Sequence, residues 1–152
     1  MFITKIIKII IVYQVKSFEN LFYECSYVES INFKRFYRNN INNMGGMFCG
    51  CSSLKELNLD NFITNNVTDM RGMFLGCSSL KELNLHKFNT NNVTDIGYMF
   101  SGCSSLKELN LNNFNTNNVT NMDYMFSGCS KELIMKIQTQ YKNIKEEAYY
   151  DI

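Results

Sequence analysis

Residues 66–88 read Asn66-Val67-Thr68-Asp69-Met70-Arg71-Gly72-Met73-Phe74-Leu75-Gly76-Cys77-Ser78-Ser79-Leu80-Lys81-Glu82-Leu83-Asn84-Leu85-His86-Lys87-Phe88, and this stretch recurs along the chain. Written in rows of 26, its apolar residues fall into columns. Val67, Met70, Met73, Phe74, Cys77, Leu80, Leu83, Leu85 and Phe88 stand above Val93, Ile96, Met99, Phe100, Cys103, Leu106, Leu109, Leu111 and Phe114. The row before begins at Ile41, a diverged one at Val15, and a fifth at Val119 that breaks after Cys129. Residues 77–102 match 103–128 at 21 of 26 positions, a degree of identity that only a repeat produces.

Two kinds of local pattern lie within a row. Met70, Met73 and Phe74 at i, i+3, i+4 predict one face of a short helix, with Thr68 or Asp69 as its amino-terminal cap. Gly76 follows where a left-handed residue would close it, and Gly50, Gly102 and Gly128 share that column. Leu80-x-x-Leu83-x-Leu85 then predicts a strand, with Leu83 and Leu85 inward and Asn84 outward. This is the strand signature of a leucine-rich repeat. Asn89-Thr90-Asn91-Asn92 is turn chemistry.

One such unit cannot cover its own apolar face, whereas stacked units cover one another. The expected fold class is therefore α/β: a leucine-rich-repeat-like solenoid over residues 15–130, each row contributing a short helix and a strand of a parallel sheet. Rows begin at 15, 41, 67, 93 and 119. Residues 1–14, rich in isoleucine, predict an N-terminal capping strand. The rival reading, a signal peptide, is opposed by Lys5 and Lys8, by the lack of a small-residue cleavage site and by a first row already under way at Val15. No uninterrupted apolar run reaches the ~20 residues of a membrane span. In residues 131–152, Leu133, Ile137, Tyr141, Ile144 and Ala148 are helically spaced, so a capping helix is expected over about 131–149 with Ser130 as N-cap; a last strand at 133–137 is the alternative.

The unit Asn66-Val67-Thr68-Asp69-Met70-x-x-Met73-Phe74-x-Gly76-Cys77-Ser78-Ser79-Leu80, repeated at 92–106 with Ile96 in place of Met, resembles the BspA-like leucine-rich-repeat surface proteins. The resemblance covers about residues 15–130. It implies a repeat fold and, more loosely, display on a cell surface and binding of protein partners.

Function classes narrow accordingly. A net charge of +1 gives no general pull toward nucleic acid, and Glu56, Glu82 and Glu108 run beside Lys55, Lys81 and Lys107. Cys25, Cys51, Cys77, Cys103 and Cys129, at the repeat interval, predict a ladder of reduced inward thiols. Disulfides between neighbouring rows are open on distance alone but awkward in torsion. A straight ladder does not converge as tetrahedral zinc requires, so neither metal nor other cofactor is expected. Cys49 lies off the series and reads as an exposed thiol. Nearly every polar residue belongs to a column, and His86 replaces Asp60 and Asn112, so no singular catalytic constellation is expected. Asn66, Asn92 and Asn118 each open an Asn-Val-Thr triplet, formally a glycosylation acceptor.

The expected role is a non-catalytic protein-binding or adhesion module; the alternative is a structural scaffold or part of a longer array. Candidate binding positions on the sheet face are Asn32, Asn58, Asn84 and Asn110, with Lys55, Lys81, Lys107 and the variable Asp60, His86 and Asn112. The asparagine column has a second reading, a stabilising ladder of amides bonded up the stack. A second variable strip combines Arg71, Gly97 and Asp123 with Gly72, Tyr98 and Tyr124.

Overall fold

The computed structural model describes residues 15–33 and 39–151. The expected N-terminal strand at 1–14 lies outside the described residues. Elements follow in the order β1 (Ser30–Asn32), β2 (Glu56–Asn58), β3 (Glu82–Asn84), β4 (Glu108–Asn110), α1 (Lys131–Gln140) and a 3-10 helix, Glu146–Tyr149.

The columns become layers. β1 pairs with β2 in parallel, Ile31 opposite Leu57, and β3 with β4, Leu83 opposite Leu109. Both registers join residues 26 apart. The strands are three residues long and form two separate two-stranded sheets, where a single sheet was expected. The stacking is more continuous on the opposite side, where parallel bridges run Ser17, Asn43, Asp69, Asp95, Asn121 through five rows.

The expected helix in each row is a correction. Residues 71–76 form a run of turns. Their amides alternate between two kinds of acceptor. Met73, Leu75 and Cys77 donate three residues back, to the carbonyls of Met70, Gly72 and Phe74. Met70, Gly72, Phe74 and Gly76 donate across to Asp95, Gly97, Met99 and Ser101 in the next row. An α-helix spends its bonds within itself and has none left for a neighbour. Successive three-residue turns place Met70, Met73, Phe74 and Cys77 inward much as a helix face would, and all four are fully buried. The expected caps are likewise reassigned. Thr68 donates its hydroxyl to the Asn42 carbonyl, and Asp69 Oδ1 accepts from Arg71 N–H at 2.8 Å, closing a turn two residues on. Gly76 has φ +72°, as its column predicts, a backbone conformation that glycine adopts without steric cost.

Phenylalanine rings continue the layering. Phe22, Phe48, Phe74, Phe100 and Phe126 stack face to face with centroids 5.5–5.7 Å apart, and Tyr149 extends the pile at 5.6 Å. Beside them Cys51, Cys77, Cys103 and Cys129 each donate Sγ–H to a phenylalanine carbonyl 29 residues earlier, at 3.1–3.2 Å. All six cysteines are free thiols.

α1 starts at Ser130, whose side chain accepts from Leu133 N–H, and ends at Gln140, short of the expected 149. The strand alternative at 133–137 is replaced by this helix. Tyr141 turns extended, and the chain folds back onto row five. Thr116 donates to the Asn143 carbonyl, and Tyr124 and Phe126 donate to Glu147 and Ala148. Ile144 and Ala148 are buried as their spacing demands, but a turn and a 3-10 helix deliver them.

Candidate binding surfaces

On the strand side, Asn32, Asn58 and Asn84 are exposed and Asn110 half-buried, while Leu83, Leu85, Leu109 and Leu111 point into the core. The strands end where these asparagines bond their own chain. Asn58 Oδ1 accepts from Asp60 N–H, Asn84 Oδ1 from His86 N–H and Asn110 Oδ1 from Asn112 N–H, at 2.9–3.2 Å. The asparagine ladder is therefore elsewhere. Asn66, Asn92 and Asn118 each donate their amide to the carbonyl 27 residues earlier, at 2.6–2.7 Å. Asn89 and Asn115 reach the side chains of Asn65 and Asn91. The glycosylation-type triplets thus sit in the turn column that bonds the rows together. Beneath it Thr64 and Thr90 are buried, each exchanging two hydrogen bonds with the next row.

Leu57, Leu83, Leu109, Asn84, Asn110 and Tyr141 line a broad shallow depression on this face, with α1's carboxyl end as one wall. Lys55 pairs with Glu29 at 2.9 Å. Lys136 of α1 lies 3.0 Å from Glu108 and 3.3 Å from Glu132, and hydrogen bonds to both carboxylates raise its pKa. Among the described residues Lys81 and Lys107 have no carboxylate within 4.0 Å, so both cations face outward. Asp60 and Asn112 are exposed; His86 is half-buried, its Nδ1 2.8 Å from Asn84 Oδ1.

The second strip rides on the turns. Arg71 sits 4.8 Å over the Tyr98 ring and 3.6 Å from Asp95, and Tyr98 stacks on Tyr124 at 5.2 Å. Gly97 has no side chain to displace the guanidinium: a Cβ there would lie 3.2 Å from Arg71 Nη1. Both tyrosines are held at positive φ, +58° and +56°, in a column where rows two and three have Gly46 and Gly72. That strain was not legible as such, although the glycine-to-tyrosine change within one column was visible in the sequence. Also missed was a notch between rows one and four, floored by Gly45, Gly46, Gly72, Cys49 and Leu75. Cys49, expected to be exposed, is half-buried there, and burial pushes its thiol pKa up. No group of three or more metal-ligating side chains converges among the described residues.

Residues 13–139 match the family described as "Mycoplasma protein of unknown function, DUF285". The chain belongs to that family. Its BspA-like leucine-rich-repeat signatures at 66–80 and 92–106 lie inside the matched span. Comparison with curated proteins gives no match. Among solved structures, a leucine-rich cell surface protein from Faecalibacterium prausnitzii is similar at 23% identity and a TM-score of 0.49. The similarity covers 73% of this chain and 27% of that one, so the chain spans about a quarter of its neighbour's length. Among the described residues no helix is long and apolar enough to cross a membrane.

Proposed function

We propose that this DUF285-family chain is a non-catalytic protein-binding module, a solenoid of 26-residue rows displayed at a cell surface. The observation that carries this reading is the shallow depression on the strand side. It is open and lined by regularly spaced polar side chains, with leucines at its base. Repeat folds present extended faces of this form to macromolecules, whereas small substrates are enclosed. On this side Lys55, Lys81, Lys107, Asn58 and Asn84 supply contacts that repeat from row to row, and Asp60, His86 and Asn112 supply the variable ones. The display reading rests on the BspA-like resemblance.

The competing role is a scaffold without a dedicated ligand. It draws support from Asn58, Asn84 and Asn110, whose oxygens are engaged in ending the strands. Immobilised chain and a Lys55→Glu/Lys81→Glu/Lys107→Glu variant, exposed in parallel to cell-surface extracts, separate the two. A protein retained by the native chain and lost from the variant supports binding through this face. Retention of no protein by either favours the scaffold, and equal retention would place binding away from this face.

A further inference from the structure

We propose that the notch on the turn side binds a lysine or arginine side chain from a protein partner. This site is separate from the strand-side face proposed above. Its shape comes from one column. Asn20, Gly46, Gly72, Tyr98 and Tyr124 all take φ between +56° and +59°. Where that residue is glycine, in rows two and three, the surface drops to backbone, and Cys49 and Leu75 form the floor. Where it is tyrosine the surface rises, and Ser101 and Ser127 are buried in the column that holds Cys49 and Leu75. Tyr98 with Arg71 makes one wall; Glu19 and Asn20 make the other. The floor is held by bonds across rows: Gly46 N–H to the Arg71 carbonyl, Gly72 N–H to the Gly97 carbonyl.

Charge selects the occupant. Glu19 and Asp69 line the notch, and Glu24 lies close enough to Cys49 to raise its pKa further. None of these three carboxylates has a cation within 4.0 Å among the described residues. The one cation in the lining, Arg71, is already committed to Asp95 and to the Tyr98 ring. An anion would meet the Glu19 and Asp69 carboxylates of the lining, while the Arg71 guanidinium is engaged with Asp95 and Tyr98. A basic side chain lays its aliphatic stem on glycine backbone and Leu75 and its charged head among carboxylates. Tyr98, held at φ +58° where the rows before have glycine, raises the wall of the notch.

The test is a nitrogen-15 NMR titration of the whole chain with acetyl-hexalysine-amide at low salt, with hexaglutamate as control. Expected are saturable shifts at Gly45, Gly46, Gly72 and Tyr98 with hexalysine and none with hexaglutamate. Glu19→Gln/Asp69→Asn should weaken hexalysine by about fivefold. Asn already serves at the equivalent of Asp69 in rows two and five, so this change keeps the turn. Gly72→Asn fills the notch without altering charge, because asparagine tolerates positive φ, and should weaken binding at least as much. Unchanged amide shifts at Phe74 and Leu85 verify that each variant is folded. Shifts scattered over acidic positions such as Glu82 and Glu108, an affinity indifferent to Gly72→Asn, or no saturable binding would each overturn the proposal. None of these outcomes touches the strand-side lysines, so the two readings stand or fall apart.

Discussion

The Tyr141 hydroxyl lies 3.1 Å from the Leu111 backbone nitrogen and accepts its hydrogen bond. One row earlier the equivalent amide, Leu85, donates to the Asn110 carbonyl of the next strand. Row five has no such strand after Cys129, because α1 occupies its place. A side chain from the end of α1 therefore supplies the acceptor that a strand would have given, and the Tyr141 hydroxyl in turn donates to Asn112 Oδ1 at 3.3 Å. Leu111 is buried, so losing that acceptor leaves an amide without a partner. Tyr141→Phe should lower unfolding free energy by about 1–3 kcal/mol. Denaturant titration measures this, and hydrogen exchange at Leu111 should accelerate more than at Leu85. Equal exchange at the two amides would remove the capping role.

The thiol ladder makes stability fall in alkali. Burial raises Cys51 to about 11 and Cys129 to about 12, and raises Cys77 and Cys103 as well. Below the ordinary thiol pKa, near 8.5, folded and unfolded chains both hold these protons, so the contribution is complete. Above it the unfolded chain ionises first, and stability drains away as pH rises toward the folded values. The denaturation midpoint should therefore decline between about pH 9 and 12, more steeply in the native chain than in Cys77→Ala. At pH 8 iodoacetamide should modify the half-buried Cys49 well before Cys77 or Cys103. A midpoint that rises with pH in that window would contradict the buried, neutral ladder.

The positions that face inward were legible because burial has one requirement: each apolar column must meet its neighbour. Met70, Met73, Phe74 and Cys77 are buried where their spacing put them, and so are Ile144 and Ala148. The backbone that delivers them was not legible. Spacing of three and four suits successive turns as well as a helix. What decides is the partner of every second amide, which belongs to a row 26 residues away. Likewise the asparagine columns at 58/84/110 and 66/92/118 look alike in sequence. Only the geometry shows which bonds along its own chain and which bonds between rows.

Tyr98 offers a test of strain with an unusual sign. At most positions alanine is more stable than glycine by about 0.5–1 kcal/mol, through backbone entropy. At φ +58° the Cβ itself is disfavoured. Tyr98→Ala keeps that penalty and loses the contacts with Tyr124 and Arg71. Tyr98→Gly loses the same contacts but sheds the penalty, and glycine already serves this column at 46 and 72. Tyr98→Gly should thus exceed Tyr98→Ala in stability by about 1 kcal/mol, read from paired thermal melts. If alanine proves the more stable, the left-handed assignment at Tyr98 is wrong.

Asparagine-to-aspartate substitutions distinguish the two polar columns by what each side chain does. Asn92 donates from Nδ2 to the Asn65 carbonyl at 2.7 Å, across rows. Aspartate has no such donor and sets a carboxylate against a carbonyl oxygen, so Asn92→Asp should destabilise by about 1–2 kcal/mol. Asn66→Asp and Asn118→Asp should behave alike, since they make the same bond. Asn84, in contrast, is used as an acceptor, from His86 N–H and at His86 Nδ1. A carboxylate accepts at least as well. Asn84→Asp should therefore change stability by less than about 0.5 kcal/mol. Urea titrations of the two variants at neutral pH measure both effects. Comparable losses from Asn84→Asp and Asn92→Asp would mean that the strand column, too, bonds from row to row.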